Sequence, residues 1–136
     1  MTTAPARLHL RRELEAYLTE LGYSTVRAGR VGTPMPEIVR VSPVRGRIAY
    51  GETVLGSDLR SERCHQRLLS FSQRRTRHRS TILFFIGVAE ADRPELETLL
   101  QQLEIRSAVR GGHVHVVPFA APEGSRRRMA SHGQRG

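Results

Sequence analysis

The segment Thr81 to Val88, Thr-Ile-Leu-Phe-Phe-Ile-Gly-Val, is almost continuously apolar. It is far too short to cross a bilayer. A run of that length without a polar face suits a central strand covered on both sides, which belongs to an α/β sheet flanked by helices. The other segments fit that frame. Ala6 to Leu21 brings Leu10, Leu14, Tyr17, Leu18 and Leu21 round at steps of three and four, predicting an amphipathic helix stopped by Gly22. Tyr23 to Arg27 reads as a first strand, and Ala28 to Pro36 as a loop punctuated by Gly and Pro. Ile38 to Val41 and Ile48 to Val54 read as strands, joined by a turn at Val44 to Arg47 and close enough to pair as a hairpin. A second helix opens at Gly56-Ser57-Asp58, capped by Ser57 or Asp58, and runs to about Arg75. Asp92 to Leu103 predicts a third helix, with Pro94 in its first turn and Asp92 and Glu95 spaced as a capping box. After Gly111-Gly112, His113 to Phe119 alternates as a half-buried strand. The expected order is α-β-β-β-α-β-α-β, with an antiparallel front and helical crossovers behind.

The 136 residues suit one domain, residues 1–119, followed by an Arg-rich tail, 120–136. The net charge is +9, and all 22 cationic side chains are Arg. The absence of Lys excludes lysine nucleophiles, Schiff-base chemistry and a P-loop lysine, each of which needs an amine. Genome composition is the plain cause of such a bias. The tail carries four arginines against one acid, so it accounts for only part of the excess, and the body is itself basic. That balance makes nucleic acid the first partner to consider, DNA ahead of RNA. Cys64 is the lone cysteine and cannot form an internal disulfide; with no signal-peptide pattern, a cytoplasmic, reducing location without a membrane is expected. Neither G-x-G-x-x-G nor G-x-x-x-x-G-K-[ST] occurs, which removes the common dinucleotide and P-loop readings.

Two acids sit at telling positions. Glu37 begins one strand of the expected hairpin and Glu52 lies near the end of the other, so pairing would bring both carboxylates to one end of the sheet. Paired carboxylates are hard oxygen ligands for Mg²⁺, and Glu13 beside the apolar stripe of the first helix is a candidate third donor. Each acid also has a plainer reading as a surface ion-pair partner, Glu37 with Arg40 or Arg47 and Glu52 with any of the many arginines, worth about 0–1 kcal/mol. The run Gln73-Arg74-Arg75-Thr76-Arg77-His78-Arg79 suits phosphate neutralisation, and equally a solvated helix end. His113 and His115, two apart on a strand, are more simply surface residues than metal ligands. Cys64 falls on the apolar side of the second helix and reads as core.

Pro36-Glu37-Ile38-Val39, Gly51-Glu52-Thr53-Val54, the following helix and Ile82-Leu83-Phe84-Phe85-Ile86, taken in that order, resemble the core of the PD-(D/E)XK nuclease superfamily, the restriction-endonuclease-like fold. The resemblance covers Ala6 to Phe119 in order of elements, while its motif is short. It implies a mixed sheet flanked by helices, and catalytic acids at Glu37 and Glu52 holding Mg²⁺ with help from Glu13. It also implies phosphate contacts by basic residues on and after the second helix, among which Arg60, Arg63, Arg67, Arg74, Arg75, Arg77 and Arg79 are the candidates. Small members of such folds commonly form homodimers. The family's lysine, two residues after the second acid, falls at Val54, and Arg cannot replace it as a general base. The expectation is therefore a nucleic-acid-binding protein with a degenerate nuclease-like centre. The alternatives are an active Mg²⁺-dependent phosphodiesterase and a structural or assembly subunit with no nucleic-acid role.

Overall fold

The computed structural model describes residues 3–25, 34–42, 47–75 and 81–120. Strand β4 (Leu83–Ala89) runs between β3 (Ile48–Val54) and β5 (Val114–Phe119), parallel to both. On the far side of β3, β2 (Ile38–Val41) pairs antiparallel with it, and the two-residue β1 (Ser24–Thr25) pairs antiparallel with β2. The mixed five-stranded sheet thus keeps chain order, β1-β2-β3-β4-β5.

Alternation along β4 explains its apolar composition. Phe84, Ile86 and Val88 face a core shared with Leu68 and Phe71 of α2 (Glu62–Gln73) and Leu96, Leu99 and Leu100 of α3 (Arg93–Gln102). Phe85 faces the opposite core, built with Leu14 and Leu18 of α1 (Thr3–Glu20), Ile38, Ala49 and Val117. The crossovers β3–α2–β4 and β4–α3–β5 place both later helices on one face, and α1 alone covers the other. The expected α/β class, mixed sheet and order of elements are all present. No described helix is long and apolar enough to cross a membrane.

Helix ends account for several differences from expectation. Helix α1 closes with Gly22 at a φ of 93°; the Gly22 amide donates to Thr19 O and the Tyr23 amide to Leu18 O. This closure turns the chain before Leu21 can join the buried stripe, so Leu21 is exposed. The same paired closure ends α3, from Glu104 to Gln101 O and Ile105 to Leu100 O, with Glu104 rather than glycine at a positive φ of 59°. The second helix does not begin at Gly56-Ser57-Asp58. Those residues belong to a 3-10 turn, Gly56–Arg60, and Ser61 is the N-cap of α2, its Oγ accepting from the Cys64 amide. Asp58 is engaged elsewhere. Asp92 makes no side-chain cap, because α3 continues from the 3-10 turn Glu90–Asp92. Residues 26–33 of the expected first strand and loop, 44–46 of the turn and 121–136 of the tail lie outside the described residues.

Gly51 is demanded by a close approach. A Cβ there would lie 3.0 Å from Ile38 Cβ and 3.2 Å from Leu14 Cδ2, so α1 rests directly on the backbone of β3.

Candidate functional site

The β2–β3 register pairs Ile38 with Gly51, and one step further Glu37 comes level with Glu52. There β2 has ended, since Pro36 lacks an amide hydrogen and the chain leaves the sheet. The buried Thr53 amide still needs an acceptor. Glu37 supplies it: Oε1 accepts from Thr53 N at 2.6 Å and from Thr53 Oγ1 at 2.7 Å, and Oε2 lies 3.0 Å from the same hydroxyl. In return the Glu37 amide donates to Glu52 Oε2 at 2.6 Å. The two acids are bound into each other's strand ends.

Glu52 points to the α2 side of the sheet, where it is 5% exposed. Its carboxylate is held at two points by Arg67, Nε to Oε1 at 3.0 Å and Nη2 to Oε2 at 2.8 Å. Arg67 Nη2 also reaches Met35 O at 2.9 Å, and the guanidinium lies 5.0 Å over the Phe71 ring. Burial pushes the Glu52 carboxyl above its ordinary range. The Arg67 hydrogen bonds and the Glu37 amide pull it back, the nearby Glu37 charge adds to the rise, and burial wins. The hydrogen bonds to Glu52 hold Arg67 firmly protonated.

A second cation comes from α1. Arg7 lies at steps of three and seven from Leu10 and Leu14, at the N-terminal end of the buried stripe. It donates to Thr53 O at 3.1 Å and to Asp58 Oδ2 at 2.7 Å, and its Nη1 stands 3.9 Å from Glu37 Oε2. Asp58 Oδ2 also accepts from the Leu55 amide, which fixes the 3-10 turn. Together these groups line a cavity of about 410 Å³ at the C-terminal end of β3, walled further by Val54, Ser61, Arg63 and Cys64. Three arginines face three acids there, so the cavity is electrically balanced.

Glu37 and Glu52 therefore meet in one cavity. Glu13 does not join them; the stripe that buries Leu10, Leu14 and Leu18 leaves it exposed, and Asp58 is the third carboxylate in its place. Arg63 and Arg67 line the cavity. Arg60 and Arg75 are exposed outside it. Arg74 lies over Phe71 at 4.9 Å and Tyr50 at 5.9 Å, a packing role that its place in a basic run concealed. Arg77 and Arg79 lie outside the described residues. Glu37 pairs with neither Arg40 nor Arg47 among the contacts of the described residues; Arg40 instead approaches Glu15. Sequence reasoning assigns Arg7 and Thr53 no role in the site and Asp58 only that of a helix cap, although a charged residue in line with an apolar stripe was a signal for Arg7.

The carboxylates do not fit Mg²⁺ as they stand. Both Glu52 oxygens are taken by Arg67, and Glu37 is turned onto Thr53. Among the described residues no group of three or more His, Cys, Asp or Glu is placed to hold a metal ion. Cys64 is half-buried against the core, and burial with the nearby Asp58 and Glu52 charges pushes its thiol up to about 11, far from a nucleophile at neutral pH. The two histidines are separated in function: His113 Nε2 is 2.8 Å from Ser72 O, and His115 stacks on Phe85 at 4.8 Å. No family model, no curated protein and no solved structure matches this chain.

Proposed function

We propose that this chain is a nucleic-acid-binding protein with a nuclease-like architecture whose acidic centre serves as a structural ion-pair cluster. The observation that carries the reading is the two-point grip of Arg67 on Glu52, with Val54 buried where the PD-(D/E)XK pattern has its lysine. An acid so engaged has both oxygens against the Arg67 guanidinium, whose charge opposes a metal ion there, and no amine stands beside it. The order of elements, an antiparallel β1-β2-β3 followed by parallel strands and a helix on the opposite face, supports the architecture. Net charge +9 supports a polyanionic partner. Exposed arginines at Arg60, at Arg63 on the cavity wall and at Arg75 are the candidate contacts for that partner. DNA is the favoured ligand ahead of RNA.

An active Mg²⁺-dependent phosphodiesterase is the second reading, because Glu37 and Glu52 do share one cavity. One experiment separates the two. Supercoiled, linear and single-stranded DNA and RNA are incubated with the protein and Mg²⁺ or Mn²⁺, and binding is followed by anisotropy on the same samples. The proposal expects salt-sensitive binding, no cutting, and the same affinity in Glu52→Gln once that variant is shown to be folded. Metal-dependent cutting abolished by Glu52→Gln would establish the enzyme. No binding near physiological salt would leave a structural or assembly subunit.

A further inference from the structure

We infer that the free edge of β5 is a dimer interface, at which a second copy of this chain pairs antiparallel about a two-fold axis at Val116.

β5 ends the sheet and has β4 on one side only. The register fixes which of its backbone groups are used. Phe84 lies level with Val114, and the Phe84 amide donates to His113 O at 3.1 Å. In a parallel ladder the groups aimed at one neighbour come from alternate residues. His115, Val117 and Phe119 therefore bond to β4, while Val114, Val116 and Pro118 turn outward. Val114 is bridged to Ser107. Pro118 has no amide hydrogen, and at an outward position the ladder to β4 does not miss it. The open edge is thus reduced to one donor, the Val116 amide, and two acceptors, the carbonyls of Val116 and Pro118.

That inventory suits a second copy better than a long foreign strand. Two residues directly opposite in an antiparallel pair exchange both of their bonds. With Val116 opposite its own counterpart, each amide donates to the other carbonyl and the lone donor of each edge is satisfied. A foreign strand reading further along would meet no donor at Pro118 and groups already bridged at Val114.

Charge favours the same occupant. Helix α3 starts where β4 ends, level with Phe119, and crosses back toward the Val114 end of β5. Glu97, exposed in its first half, lies on the Phe119 side of Arg110, which is exposed in the 3-10 turn Ala108–Arg110 next to the Ser107 bridge. Both line a cavity of about 250 Å³ over Leu100 and Ile105. An antiparallel copy reverses the two ends, so its arginine approaches this acid and its acid this arginine. Val109 of the same turn is 90% exposed, Val116, Pro118 and Phe119 are half-buried, and the strand carries no Asp, Glu or Arg to discourage pairing.

The inference rests on the edge and not on nucleic-acid binding, so each can fail alone. The test follows the full chain, freed of nucleic acid, by sedimentation equilibrium over about a hundredfold range of concentration. Amide hydrogen exchange is read at Val116 in the same series. The wild type is expected to rise from the mass of one chain, 15.3 kDa, toward twice that, with slower exchange at Val116 as it does. Val116→Pro removes the outward donor and leaves the ladder to β4 whole, so it is expected to keep its circular dichroism and lose the dimer. Arg110→Glu, on the exposed turn, is expected to weaken association about tenfold, and adding Glu97→Arg to restore it. A wild type that stays one chain throughout would overturn the inference and leave the edge to an extended segment of another protein. So would a dimer in which the Val116 amide gains no protection, because the contact would then lie elsewhere. Anisotropy with DNA on the same wild-type sample reports on the functional proposal independently.

Discussion

Thr53 links the two acids to α1 through one hydroxyl and two backbone groups. Its Oγ1 donates to Glu37, its amide donates to the same carboxylate, and its carbonyl accepts from Arg7. Thr53→Val preserves shape and both backbone bonds and removes the hydroxyl donor from the half-buried Glu37 carboxylate. A loss of about 1–3 kcal/mol is expected, read as a lower urea midpoint with an unchanged slope. His115 carries a pH dependence of definite sign. Burial lowers its pKa, with the His113 charge as the second cause, so the folded protein takes up that proton less readily than an unfolded chain titrating near 6.5. Its contribution is full above that value and is lost as pH falls toward the lowered pKa. Glu52 works in the opposite direction: its raised carboxyl makes the folded state the better proton acceptor above 4.5, so its contribution falls as pH rises through that window. His115→Phe keeps an aromatic stack on Phe85 and should remove the histidine's share. Melting temperature measured from pH 7.5 down to about 5 should fall less in the variant than in the wild type; an identical fall would show that His115 contributes nothing.

At the scale of elements, the strands and the start of α3 were readable, and the start of α2 was not. The apolar run at β4 and the hairpin spacing of β2 and β3 follow from alternation, a local property that survives into the fold. Gly56-Ser57-Asp58 has the composition of a helix opening, yet Asp58 is drawn off by the Leu55 amide and Arg7, a residue 51 positions away. Local propensity holds no record of that competition. The site divides along the same line. Convergence of Glu37 and Glu52 was implied by a hairpin of known ends. Which of 22 arginines would reach Glu52 depends on how α2 crosses β3, and no spacing in the chain encodes it. The seating of α1 on β3 is sharply testable. Gly51→Ala forces a methyl to within 3.0 Å of Ile38 Cβ, and a loss of about 1–3 kcal/mol is expected. A larger-to-smaller change at Leu14, paired with Gly51→Ala, should recover part of it in a double-mutant cycle.

At the scale of the whole molecule, six arginines among the described residues, on and around α1, the 3-10 turn Gly56–Arg60 and α2, fall into two groups. Arg7, Arg67 and Arg74 are spent on carboxylates, carbonyls and rings, while Arg60, Arg63 and Arg75 are exposed on and beside α2. Net charge alone therefore overstates what is offered to a polyanion. If the exposed group meets phosphates, Arg60→Ala and Arg63→Ala should each weaken DNA binding similarly for all sequences and reduce the log–log salt slope by about 0.9. An unchanged slope in both would locate the contacts elsewhere.

Because the strands lie side by side in the order of translation, each one is laid against a neighbour already synthesised. No strand has to wait for a later one to open a gap in the sheet. A nascent chain that has emerged as far as α3 already contains four of the five strands, and only β5, Val114–Phe119, is missing from the free side of β4. Until β5 is present, β4 is an edge strand whose ladder groups on that side have no partner in the sheet, so the strand order makes the last stretch of synthesis the interval in which this edge is open.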